Sequence, residues 1–501
     1  MKQFYYFLCA LCLGVFSVQS QELTQDDYKR AVSFMYDNYY NKTAFNLHTS
    51  VNWFKDNSGL WFIDHSIKGK SYKTLLFSDY KINPLFDHDK FGKSFSELLD
   101  KEVDPNQLSL SNIERKETGD LWFSFEDKSY TLVLETYQIQ LREEEKQEES
   151  DPLESKSPDG KWIAYTKDYN LFVKEIATGE EHQLSFDGKK GFEYASWYGW
   201  YDKMEGESTE RPKRFHVDWS EDSKWISTNI VDLRNAEKMY LLDWSIDTLY
   251  KPKLLSYYRG SPGDTTMVHL QPVFFNMDSK KEVKTNLPKG THINSVSSQW
   301  SKTSGVLFAV YSERGYQKEF VKKVDLNTST EQTLITETST TNIDNFEFRP
   351  LEEKQKMIFL SERSGWRQLY ILDLKTNKTE ALTTGNYFVA NIEYIDEENE
   401  TIYFLANGKE KGNNPYHHQL YKVDFKGNIT TLTPELVNHH ISFSESGTYF
   451  IDNYSTINSP TKTVFALFIG HTLAHVIEDI ERYCFDADQM FLHSETHHHC
   501  Q

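Results

Sequence analysis

The chain has 501 residues, of which 15% are aromatic and 26% charged, and it carries a net charge of −20 at pH 7. That length excludes a single small core, and 13 Pro with 23 Gly exclude a fibrous or low-complexity chain. The acidic surplus disfavours binding by phosphate neutralisation, so nucleic acid is not an expected partner, and it suits solubility.

The first element in chain order is a leader. Lys2 supplies a positive start, Phe4 to Val18 is apolar, and Val18-Gln19-Ser20 sets small residues before Gln21. Residues 1–20 therefore read as a secretory signal, which implies an exported protein, periplasmic or extracellular. About 14 apolar residues are too few for a stable membrane span. Cys9 and Cys12 lie in this leader, Cys484 and Cys500 near the far end, and residues 21–464 hold no cysteine. An exported body without disulfides must be held by a large core.

Residues 21–46 form a lead-in, with a helix expected over Asp26 to Met35 behind its acidic start. From 47 to 464 the chain repeats one pattern of short apolar runs separated by polar turns. The first unit contains Val51-Asn52-Trp53 and Leu60-Trp61-Phe62-Ile63. The second contains Leu121–Phe125 and Tyr130–Leu134 around a hairpin at Glu126-Asp127-Lys128. The acid-rich run from Arg142 to Ser155 reads as a solvated loop. The third unit is the clearest, with Ser157-Pro158-Asp159-Gly160 turning into Trp162–Tyr165, then Asn170–Val173 and Gln183-Leu184-Ser185. The fourth runs from Phe215–Ser220 to Lys238–Trp244, and the fifth includes Val306–Val310 and Thr333–Ile335. The sixth includes Met357–Leu360 and Gln368–Leu374, and the seventh Thr401–Leu405 and Gln419–Asp424. The eighth begins with His440–Ser444 and Thr448–Ile451.

Eight copies of roughly 40–50 residues, each built of short strands, imply an all-β, eight-bladed β-propeller. The composition then shifts. Residues 465–501 have no Lys, Asn or Pro, yet hold six of the 17 His. This segment reads as an atypical tail that replaces the outer strands and leaves the last blade incomplete. A native amphipathic helix around Leu473–Ile480 is the alternative. His493, His497, His498, His499 and Cys500 are metal-ligating types, but a cluster on a chain end reads as adventitious, so neither a metal nor a cofactor is expected.

Several segments resemble the dipeptidyl peptidase IV family of serine peptidases, in the prolyl oligopeptidase group. They include Ser361-Glu362-Arg363-Ser364-Gly365-Trp366-Arg367-Gln368-Leu369-Tyr370, Leu382-Thr383-Thr384-Gly385 and Leu420-Tyr421-Lys422-Val423-Asp424. Asp232–Tyr240 and Tyr257–Asp264 are similar to bacterial members. The likeness spans about residues 110–464. It implies a propeller that gates short peptides toward an α/β-hydrolase domain carrying a Ser–Asp–His triad, with paired Glu residues holding the substrate ammonium.

Two departures bear on function. No Gly-x-Ser-x-Gly occurs in the 501 residues, so there is no strained elbow to expose a nucleophile. The α/β-hydrolase domain is therefore expected to be absent, with no catalytic residue assigned. At the place of the paired Glu the chain reads Gly199-Trp200-Tyr201-Asp202-Lys203-Met204-Glu205, so Asp202 and Glu205 are the candidate substrate-binding acids. The expectation is a secreted serine exopeptidase's N-terminal propeller, truncated before its catalytic domain and inactive alone. The alternative is a stand-alone propeller that binds peptides or proteins. Peptides and a second copy of the chain are the expected partners.

Overall fold

The computed structural model describes residues 23–142, 151–199, 201–207, 210–245, 251–344, 346–469 and 472–478. The expected signal, most of the acidic loop, Trp200 and the histidine-rich end lie outside these residues. Nearly all regular structure is antiparallel strand. Among the described residues, seven sheets carry four strands, one carries six and one carries three. The chain is all-β and propeller-like. It divides into two compact units, one drawn from Met1–Glu143 with Val437–Gln501, the other from Glu144–Leu436.

In the first unit, Gln25–Ser33 forms the lead-in helix. Thr24 and Asp27 cap it reciprocally, each side chain taking the other's backbone N–H. Val51–Trp53, Gly59–Ser66, Gly69–Leu76 and Lys81–Pro84 form one sheet, and Ser111–Arg115, Leu121–Phe125, Lys128–Val133 and Gln138–Leu141 form another. The His88–Leu99 helix was not read from the sequence. Asp87 caps it by accepting from the Asp89 and Lys90 amides, and Phe91 and Phe95 are fully buried against Phe123 and Tyr130.

The last sheet of this unit differs from expectation. It has four strands, Asn438–Phe443, Tyr449–Thr456, Ser459–Ile469 and Thr472–Glu478, rather than half a set. The residue types change at 465, but the strand character does not. Thr463, Val464, Phe465 and Ala466 form one buried run, as a strand covered on both faces does. Thr472–Glu478 is strand rather than helix, in keeping with β-branched Thr472, Val476 and Ile477. Leu60, Phe62 and Leu75 of the first sheet share a core with Ile451 and Phe465 of the last. Asn453 clamps residue 49 from both sides, accepting from the Thr49 amide at 3.0 Å and donating to its carbonyl at 3.1 Å. Beside it, His439 Nδ1 and Asp452 Oδ2 make a buried contact of 2.7 Å.

In the second unit the repeat is visible as chemistry. The Ser157 hydroxyl donates to Asp159 at 2.7 Å and accepts from the Trp162 amide at 3.0 Å, and Gly160 takes a φ of 72° that favours glycine. Ser220, Asp222 and Trp225 rebuild the same turn. A second device fixes the outer strands: Ser185, Thr383 and Thr433 accept from the Leu171, Leu369 and Leu420 amides at 2.8–2.9 Å. The fourth repeat departs from expectation. Trp225–Asp232 pairs with His269–Asn276 in the six-stranded sheet, whereas Lys238–Asp243 leaves it. The latter strand pairs with Lys253–Tyr258, which also pairs Met204–Glu205, making the small three-stranded sheet.

Candidate functional site

Phe192–Tyr194 pairs with Trp225–Asp232 and directs Glu193 toward the segment that follows. The described residues of that segment, 195–214, leave the six-stranded sheet and are irregular apart from the Met204–Glu205 strand. They carry Ser196, Trp197, Tyr198 and Asp202 out, and Arg211 and Arg214 back.

Asp202 is buried, its side chain 1% exposed, and its carboxylate is held by guanidinium groups. Arg214 donates to it through Nε at 3.3 Å and through a closer Nη2 contact, and Arg211 Nη1 lies 3.7 Å away. Arg211 is itself almost wholly buried. It also pairs with Glu193, donates to the Ser196 hydroxyl at 2.7 Å and donates to the Trp197 carbonyl at 3.0 Å. Arg214 is the more open of the two, and its guanidinium sits 4.3 Å from the centre of the Trp197 ring. The hydrogen bond to Asp202 holds Arg214 in its charged form. Burial, followed by the Asp202 charge, pushes the Tyr198 hydroxyl upward in pKa.

Glu205 lies elsewhere in this arrangement. Its side chain is 63% exposed and meets Lys253 at 3.0 Å on the small sheet, whereas neighbouring Met204 is buried. The two acids singled out from the sequence are thus not a pair sharing one ligand. Each has its own cationic partner. Sequence reading missed Glu193, Arg211 and Arg214. The available signal was Arg211-Pro212-Lys213-Arg214, a basic run in an acidic chain, which calls for nearby carboxylates.

Chemically, the cluster presents a guanidinium. A buried carboxylate flanked by two Arg cannot also take up an ammonium without losing them, whereas Arg214, stacked and partly open, has donors for a carbonyl or carboxylate oxygen.

Residues 114–461, more than half of the chain, match the sequence family described as the dipeptidyl peptidase IV (DPP IV) N-terminal region. The chain belongs to this family. It is 31% identical over 118 residues to a protein from Aspergillus fumigatus named "Probable dipeptidyl peptidase 4", a match covering 23% of this chain and 15% of that one. A counterpart of the same name from Emericella nidulans is 29% identical over 137 residues, covering 25% and 17%. The structure resembles that of Porphyromonas gingivalis dipeptidyl peptidase 4, with a TM-score of 0.53 and 15% identity. That alignment covers 87% of this chain and 60% of the other. At this identity the structural likeness establishes the fold. The matches cover less than a fifth of the two curated relatives and 60% of the structural one, in each case less than two thirds of its length.

Proposed function

We propose that these residues form the peptide-receiving propeller region of an exported serine exopeptidase resembling dipeptidyl peptidase IV. The family match over 114–461 carries the reading. Gly-x-Ser-x-Gly does not occur in the chain, so binding and gating are assigned to these residues, and acyl transfer through a Ser–His–Asp triad to the whole peptidase. Asp202 contributes by positioning Arg214, which meets a peptide carbonyl or carboxylate oxygen. Glu205 is the accessible carboxylate, open to a peptide ammonium once Lys253 swings aside. The leader at 1–20 supports export, and no helix among the described residues is long and apolar enough to cross a membrane.

A second copy belongs to the same proposal. Lys238–Asp243 is an edge strand of the small sheet, and Met239, Tyr240, Leu241, Leu242 and the adjoining Trp244 are all exposed. An apolar edge of this kind is a template for association.

Fluorescence titration of the purified chain with Ala-Pro-Ala, using tryptophan emission, tests the peptide contact. Saturable binding that weakens at least tenfold in Arg214→Met is expected. Equal binding by the variant, or none by the parent, rejects the assignment. The second reading, a propeller that binds without catalysis, is separated by the coding DNA beyond the given residues: a Gly-x-Ser-x-Gly elbow there favours the peptidase.

A further inference from the structure

The small sheet that carries Glu205 is laced to the Asp202 cluster. Met204–Glu205 starts two residues after Asp202 and pairs with Lys253–Tyr258, Met204 opposite Ser256 and Glu205 opposite Leu255. Ser256 is fully buried, and its hydroxyl donates to the Gly206 carbonyl at 2.5 Å. The Gly206 amide donates to the Leu254 carbonyl at 2.8 Å. On the other side of Asp202 in the chain, the hydroxyl of buried Tyr198 donates to the Tyr258 carbonyl. Asp202 is therefore tied fore and aft to one strand, Lys253–Tyr258. That strand gives its other edge to Lys238–Asp243, through six residue pairs.

The far edge of Lys238–Asp243 meets no strand among the described residues. Met239, Tyr240, Leu241 and Leu242 are 40–57% exposed, so both faces of this strand look into solvent. A three-stranded sheet needs a packed apolar face to be stable by itself. Here burial reaches Met204, Ser256 and Tyr257 and stops short of the outer strand, which marks it as the least stable part of the sheet. The strand is also self-complementary. Two copies paired antiparallel about Leu241 set Leu241 against Leu241, Tyr240 against Leu242, Met239 against Asp243 and Lys238 against Trp244. Apolar residues then meet at the centre, a cation meets an indole at each end, and no like charges face each other.

We infer that the small sheet couples association of the chain to peptide capture. A second copy seated on the Lys238–Asp243 edge covers the outer strand and firms the Lys253–Tyr258 ladder. That ladder fixes Tyr198 and Met204, hence Asp202 between them, and through Asp202 the Arg214 guanidinium. A chain whose Arg214 is already held loses less freedom when a peptide oxygen binds, so affinity rises without a new contact to the peptide. The coupling is reciprocal, and the peptide tightens association by the same factor. It rests on the peptide and second-copy readings proposed above and adds the link between them.

Sedimentation of the purified chain locates the concentration at which it associates. Ala-Pro-Ala is titrated below and above that concentration with tryptophan emission, and amide hydrogen exchange is followed at Met204, Glu205 and Gly206 in both conditions without peptide. A Kd at least fivefold lower in the associated chain, with slower exchange at these three amides, is expected. Leu241→Lys should hold both readings at the values of the dilute parent at every concentration. If the peptide binds neither form, the peptide reading fails, and exchange still decides whether association orders the segment. Association that leaves exchange at 204–206 unchanged overturns the coupling, as does equal affinity in the two forms. A parent that stays monomeric, or a Leu241→Lys chain that associates as the parent does, overturns the edge as its origin.

Discussion

Asp202→Asn separates a positioning role from direct substrate contact. The substitution keeps the shape of the side chain and removes the one charge shared by Arg211 and Arg214. Breaking a buried ion pair on one side costs about 3–5 kcal/mol. Two features lower that figure. Arg211 keeps Glu193, Ser196 and the Trp197 carbonyl, and Arg214 is exposed enough for water to take up part of its charge. The expected loss is therefore about 2–3 kcal/mol. For a unit of this size that moves a thermal midpoint by roughly 5–10 °C, and a urea midpoint by about 1 M. Urea unfolding followed by tryptophan emission measures it, and Glu205→Gln, on an exposed side chain, should stay within about 0.5 kcal/mol of the parent. Adding Arg214→Met to Asp202→Asn should recover part of the loss, because the uncompensated cation goes with it. An Asp202→Asn midpoint as unperturbed as that of Glu205→Gln would refute the buried-network account and return Asp202 to the role of a free anchor.

Other predictions are independent of that cluster. Phe465→Ala should cost about 3–5 kcal/mol, because it empties a buried position shared by the first and last sheets of its unit; thermal unfolding checks it. Amide hydrogen exchange across 459–469 should be slow, and exchange as fast as in an unfolded chain would restore the half-built last blade. Glu319→Gln should stabilise the chain at pH 7. Burial and then the Glu337 charge across the strand pair raise the pKa of Glu319, so the folded state takes up this proton at higher pH than the unfolded state, and keeping it ionised costs stability above the folded pKa. That gain should fade as pH falls toward 4, and denaturant midpoints at several pH values follow it. Leu241→Lys should shift the purified protein from dimer to monomer in light scattering, and a parent that is already monomeric refutes the edge-strand contact.

Much of the fold was legible because it repeats. Ser157-Pro158-Asp159-Gly160 announces its own turn, and each hydroxyl after an outer strand meets the amide that the repeat assigns to it. The misreadings share a cause. Lys238–Asp243 has the apolar run of a blade strand, and such a run says nothing about which neighbour a strand will choose. At 465 a change of residue type was mistaken for a change of structure, although Val464-Phe465-Ala466 continues an apolar run. The site was less legible because its decisive groups are distant in sequence. Asp202 draws its partners from 211 and 214, and Arg211 reaches back to 193. An acid in a loop does not disclose whether the cation that meets it will be a ligand or a side chain.

The clamp between Thr49 and Asn453 joins residues 404 positions apart. At about 5–20 residues per second, a ribosome needs roughly 20–80 s to make the intervening chain. For that interval Leu60, Phe62 and Leu75 wait without Ile451 and Phe465, while Glu144–Leu436, a compact unit of its own, is being completed. A polypeptide arranged in this way profits from a holdase that shields the early apolar strands until the late ones emerge.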